Sequence, residues 1–195
     1  MRRIILFSDL NANNEDAVLE RIFPSDIKYK VLSYMPSNGI EGAEAYIQQW
    51  KDIAKQYNAT FNLIDNSINN LDEKRKLLSS NILVISGGNT FGLLKNLRES
   101  GLDESIKEFS KKSEFVLSGF SAGALVLTPT VEVCNLPEFD NNEVDIKNLV
   151  GLRMVDFEVF PHYQESQAAT LENYKKVASN RVVEISEDGY VEIDL

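Results

Sequence analysis

Residues 115–127, Phe-Val-Leu-Ser-Gly-Phe-Ser-Ala-Gly-Ala-Leu-Val-Leu, constrain this chain more than any other stretch. An apolar run, Phe115-Val116-Leu117, meets Gly119-Phe120-Ser121-Ala122-Gly123 and continues as Ala124-Leu125-Val126-Leu127. The first piece reads as a buried strand and the last as the opening turns of a helix. The centre matches G-x-S-x-G, the turn that lifts a nucleophilic serine between a strand and a helix. A serine on so sharp a turn carries a strained backbone. Glycines at 119 and 123 remove the Cβ atoms that would hold strand and helix apart. The helix aims its unpaired N–H groups at the turn, where an oxyanion would form. A serine between glycines is usually just a turn. The strand before it and the helix after it give the pattern chemical meaning here.

The rest of the chain alternates between the two periods. Apolar runs predict strands over 3–7, 29–34, 61–64 and 81–86, each followed by turn residues. Helical spacing marks 15–23, 41–57, 71–79, 91–98, 103–112 and 164–178. In the second of these, Tyr46, Ile47, Trp50, Ile53, Ala54 and Tyr57 share one face, which reads as a stripe packed on a sheet. A strand is expected at 131–134, a polar surface excursion at 136–148, and a closing hairpin of 181–185 with 190–193 around Glu187-Asp188-Gly189. Strands alternating with helices imply a single α/β domain over 1–195 with a mainly parallel sheet. In such sheets sites gather at the carboxyl edge; the glycine turns at 87–88 and 119–123 follow predicted strands, and the Pro161-His162 turn follows 152–160, which alternates imperfectly as a further strand.

Composition narrows the chemistry. With 195 residues, 43% of them hydrophobic, the chain is long enough for a real core. No apolar stretch reaches bilayer length, and Ile4–Phe7 is too short for a signal peptide. The single cysteine, Cys134, excludes an internal disulfide and fits a reducing cytoplasm; it reads as a small buried hydrophobe. A net charge of −10 argues against binding nucleic-acid phosphates or an anionic membrane. One histidine, His162, excludes a polyhistidine metal site and must serve any step that needs an imidazole.

An acyl-transfer site can be assembled from three pieces. Ser121 is the candidate nucleophile and His162 the only imidazole base, needed because a serine hydroxyl is a poor nucleophile at neutral pH. Gly87-Gly88 and Ala122 can offer backbone N–H groups to an oxyanion. A carboxylate is expected to orient the ring, with Glu184, Glu187 and Asp188 as candidates. Asn89 or Thr90 suits a helix N-cap.

Gly87-Gly88-Asn89-Thr90-Phe91 with Leu93-Leu94, Gly119-Phe120-Ser121-Ala122-Gly123-Ala124, and Gly151-Leu152 followed by Val155, Phe157 and Pro161-His162-Tyr163 occur in that order. Together they resemble the peptidase S51 family, the group of dipeptidase E (alpha-aspartyl dipeptidase) and cyanophycinase, over most of the chain. The resemblance implies a flavodoxin-like three-layer α/β sandwich, similar to class I glutamine amidotransferases. It implies a cofactor-free serine peptidase acting on dipeptides or short peptides. Ser121 would be the nucleophile, His162 the base, and Gly88 and Ala122 the oxyanion donors, with Gly87, Asn89 and Thr90 against the substrate. For the acid, Asp188 before Gly189 matches best and Glu187 next. The order serine, histidine, acid differs from that of α/β-hydrolases. Residues 164–170 lack the arginine with which aspartyl dipeptidases meet an acidic side chain. Two other readings keep the scaffold: an esterase or amidase on a non-peptide acyl substrate, and a catalytically silent binding protein.

Overall fold

A computed structural model describes residues 1–137 and 139–195. In chain order its first half runs β1 (Arg2–Phe7), α1 (Glu15–Ile22), β2 (Val31–Met35), α2 (Glu44–Gln56), β3 (Thr60–Leu63), α3 (Leu71–Ser79) and β4 (Ile82–Ile85). The second half runs α4 (Thr90–Ser100), α5 (Leu102–Phe109), β5 (Phe115–Phe120), α6 (Ala122–Val126), β6 (Glu158–Tyr163), α7 (Ala168–Lys175), β7 (Val182–Ser186) and β8 (Tyr190–Asp194).

The apolar runs split their side chains between two cores. Ile4, Leu6, Leu83, Ile85, Phe115 and Leu117 face the helices α4, α5 and α6. Their alternate neighbours Ile5, Phe7, Ile82, Val84 and Val116 face α1 and α2. A strand buried on both faces needs apolar residues at every position, which is why these runs do not alternate with polar ones. The result is a three-layer α/β sandwich around a six-stranded sheet of order β3-β2-β4-β5-β1-β8. Its neighbours pair in parallel except β8, which lies antiparallel on β1. Strands β6 and β7 form a separate parallel pair. Among the described residues no helix is long and apolar enough to cross a membrane.

Three expectations are corrected. Residues 181–185 and 190–193 do not form a hairpin: β7 pairs with β6, whereas β8 closes the open edge of β1. Arg3 holds β8 there through Glu192 and Asp194, both at 2.8 Å. The intervening turn is thereby pulled to the carboxyl end of β1, where Phe7 faces Tyr190. The expected strand at 131–134 is a 3-10 turn, Glu132–Asn135. Val131, Val133 and Cys134 are all buried, a pattern that a one-faced strand cannot meet. The 136–148 segment is no bare excursion. Phe139 packs edge-on against Phe160, and Arg98 grips the carbonyls of Asn148 and Val150. Residue 138 of that segment lies outside the described residues.

The serine turn requires both of its glycines. A Cβ on Gly119 would lie 2.3 Å from the Gly123 carbonyl oxygen, and one on Gly123 only 2.1 Å from that of Ile85. Backbone on both sides leaves nothing to yield. Gly123→Ala is therefore expected to destabilise the fold by about 3 kcal/mol or more, beyond an average substitution. Urea unfolding of the purified variant checks this, and wild-type stability would contradict it.

Candidate active site

Ser121 sits between β5 and α6 with φ +49° and ψ −117°, a conformation that L residues rarely hold. Its N–H donates to the Phe7 carbonyl at 3.0 Å, which ties the turn to the end of β1. Gly87, at the end of β4, lies so close that a Cβ on it would come 3.0 Å from the Ser121 Cβ. Gly88 has φ +144°, and a Cβ there would meet the Ser37 Oγ at 2.0 Å. Its backbone takes a path open only to glycine. Ala122 opens α6, so its N–H precedes the helical ladder.

His162 reaches this edge from the separate pair, not from the main sheet. The β6–β7 register shifts between Phe160 and Tyr163, and His162 has φ +56°. The expected turn at Pro161-His162 is thus a bulge inside a strand, a feature that redirects a side chain. Ser8, fully buried at the end of β1, holds the bulge. Its Oγ accepts from the His162 backbone N–H at 2.9 Å and donates to the Ile185 carbonyl at 3.0 Å. One hydroxyl thereby joins β1, the histidine and the strand leading to Glu187.

The ring lies between two partners: Nε2 is 3.0 Å from the Ser121 Oγ, and Nδ1 is 2.6 Å from the Glu187 Oε2. An ionised carboxylate only accepts, so Nδ1 carries the proton and the lone pair of Nε2 is left to take the serine hydrogen. The acid that meets the ring is Glu187, not Asp188. The Asp188 Oδ2 accepts from the Asn13 Nδ2 at 2.9 Å, on the other side of the turn. The Asn11 Nδ2 donates to the Glu187 carbonyl and helps to fix that division. A hydrogen bond from its own backbone holds the Glu184 carboxyl below the usual range, and the paired Lys175 adds to that shift against the opposing effect of burial. Burial pushes the Cys134 thiol up to about 12, so it supplies no thiolate at neutral pH.

The sequence model of peptidase family S51 matches residues 5–194. The chain belongs to peptidase family S51. It is 27% identical over 146 residues to the uncharacterized peptidase Lmo0363 of Listeria monocytogenes, spanning 74% of this chain and 71% of that protein. It is also 27% identical over 165 residues to the uncharacterized peptidase PM1590 of Pasteurella multocida, spanning 84% and 78%. Peptidase E of Shigella flexneri is 29% identical over 120 residues, which cover 60% of this chain and 50% of that protein. A provisional peptidase E protein from Listeria monocytogenes superposes with a TM-score of 0.79 at 24% identity, over 99% of this chain and 94% of that one. A peptidase from an acI-B1 Actinobacterium gives 0.69 at 17%, over 99% and 83%. At such identities the likeness establishes the shared fold, while S51 membership supports a peptidase.

Within this S51 chain, some residues singled out from sequence have other work. The Asn89 side chain caps α4 by accepting from the Gly92 N–H, and its Nδ2 donates to the Asn141 carbonyl. Thr90 is buried, and its N–H donates to the Asp140 Oδ2 at 2.7 Å. Neither is among the residues lining the cavities beside Ser121; Gly87 is. Tyr46, expected in the core stripe of α2, is 54% exposed and lines two of them, while Trp50, Ile53 and Ala54 fill the core as expected. The helix begins beyond the sheet edge, so its first turn overhangs the site. Ser8 and Asp140 carried no sequence signal beyond those of turn and loop.

Ser8→Ala is expected to destabilise by about 1–3 kcal/mol, because the His162 N–H loses its acceptor and the Ile185 carbonyl its donor. Steady-state kinetics should show kcat falling by a larger factor than KM changes, since the displaced ring takes the serine proton while Asp9, Tyr46 and Gly88 stay in the cavity wall. Unchanged kcat and stability would refute the anchoring role.

Proposed function

We propose that the protein is a serine peptidase that cleaves dipeptides or short peptides through an acyl-enzyme at Ser121. The observation that carries this reading is the unbroken chain of contacts from the Ser121 Oγ through both ring nitrogens of His162 to Glu187. His162 Nε2 takes the hydroxyl proton as Oγ bonds to the substrate carbonyl carbon. Glu187 keeps the ring in the competent tautomer and stabilises the imidazolium. The N–H groups of Gly88 and Ala122 receive the oxyanion. The proton on Nε2 then passes to the leaving amine as the C–N bond breaks. Water, deprotonated by the same nitrogen, attacks the ester, and Ser121 regains its hydrogen.

Cavities of about 250 and 200 Å³ flank Ser121 and favour short substrates over long chains. We place the reaction in the cytoplasm, on the lone buried thiol of Cys134. The test is labelling with a fluorophosphonate, followed by peptide mapping, beside release of amino acids from a dipeptide panel. An adduct on Ser121 together with dipeptide cleavage is expected. Neither adduct nor cleavage would favour a binding protein on the same scaffold, and an adduct with ester but no peptide turnover would favour an esterase.

A further inference from the structure

Three cavities adjoin along the carboxyl edge. The first is walled by Asp9, Tyr46, Gly88, Ser121 and His162, among others. The second, across the serine, is walled by Leu125, Phe139, Asp140, Gln167, Ser121 and His162. The third extends the first past Tyr46 and Gly88 to Glu41. Among the described residues, apart from His162 and Tyr46, every ionisable side chain in these walls is a carboxylate: Asp9, Glu41 and Asp140. No lysine or arginine among the described residues lines any of them.

Asp140 is the best placed of the three. The Thr90 N–H, at the start of α4, fixes its Oδ2 at 2.7 Å, leaving Oδ1 for a second donor. Asp9 is likewise held through one oxygen, by the Leu10 N–H at 2.8 Å. Among the described residues no cation pairs with Asp9, Asp140 or Glu41. Cations on neighbouring segments are engaged elsewhere: Lys175 with Glu172 and Glu184, and Arg98 with the Asn148 and Val150 carbonyls. A substrate carboxylate in this cleft would meet like charge on both sides of the scissile bond, with no cation to offset its lost hydration. A substrate ammonium or guanidinium would donate a charge-assisted hydrogen bond to Asp140.

We propose that the Ser121 cleft selects short peptides with a lysine or arginine beside the scissile bond, its side chain seated against Asp140 in the cavity shared with Gln167. The inference rests on the serine-peptidase reading above. It assigns Asp140 as the residue that sets substrate charge.

The full-length protein is assayed on matched dipeptides carrying Lys, Arg, Leu or Asp at each of the two positions. At one position kcat/KM for Lys and Arg should exceed that for Asp by about tenfold or more and that for Leu several-fold, since specificity is the ratio of these values. Raising the salt from 0.05 to about 0.5 M should narrow the ratios. Asp140→Asn keeps an acceptor for the Thr90 N–H and should bring the Lys-to-Leu ratio close to one, while Asp140→Glu restores part of it. A wild-type ratio at or below one, or one that Asp140→Asn leaves unchanged, overturns the charge preference alone. Turnover of no dipeptide at all overturns the peptidase reading and this inference together.

Discussion

Ser121→Ala should remove peptide hydrolysis, with kcat down by about a millionfold, the scale lost when the nucleophile of such a triad is deleted. The fold should survive, because the Ser121 N–H bond to Phe7 is a backbone contact that alanine keeps. Alanine also keeps the Cβ, and with it the strain of φ +49°. Ser121→Gly loses the same hydroxyl but relieves that strain. The glycine variant should be as inactive and yet more stable than the alanine variant by about 1 kcal/mol, after its greater unfolded-state entropy is offset. Progress curves on a cleaved dipeptide and denaturant titrations of both variants measure the two effects. Residual turnover near the wild-type rate in either would remove Ser121 from the mechanism. A glycine variant no more stable than alanine would mean that the strain at this turn does not exceed the entropy that glycine adds to the unfolded chain.

Glu187→Gln should lower kcat/KM by about a hundredfold, whereas Asp188→Asn should leave it within about twofold. The Glu187 carboxylate is 2.6 Å from Nδ1 and sets the tautomer; an amide can present its NH₂ group there and reverse it. The expected loss is smaller than for a buried triad acid because the Glu187 side chain is 55% exposed, so water takes over part of its role. Asp188 meets Asn13 and never the ring. The pair of variants discriminates sharply, since the two carboxylates are adjacent in the chain and equal in charge. The reverse pattern, with Asp188→Asn inactive and Glu187→Gln near normal, would reassign the acid and the turn geometry with it.

The contrast between these neighbours shows where sequence reading stops. Family resemblance favours Asp188 because it precedes Gly189. That choice depends on which way the turn faces, and the facing is set at a distance. It follows from β7 pairing with β6 while β8 pairs with β1. The hairpin expected from sequence does not contain that split, because a period-two pattern describes a strand's faces but not its partners. Tyr46 departs from its expected place for a related reason. It lies in register with a buried stripe, yet α2 begins beyond the sheet and leaves its first turn uncovered.

Sequence alone determined the features whose cause is local. Unbroken apolar runs demanded strands covered on both faces, glycines at 119 and 123 demanded a close strand–helix turn, and a single histidine left one candidate base. Each follows from residue size, conformational freedom or chemical type within a few positions. Tertiary structure alone decided that Ser8 fastens the histidine bulge, that Glu187 and not Asp188 meets the ring, and that Asp140 is held by the Thr90 N–H in the wall of a cavity it shares with the serine. Those contacts join residues 154, 25 and 50 positions apart. Strand pairing and layer packing place them, and no local pattern encodes which distant partner a side chain will find.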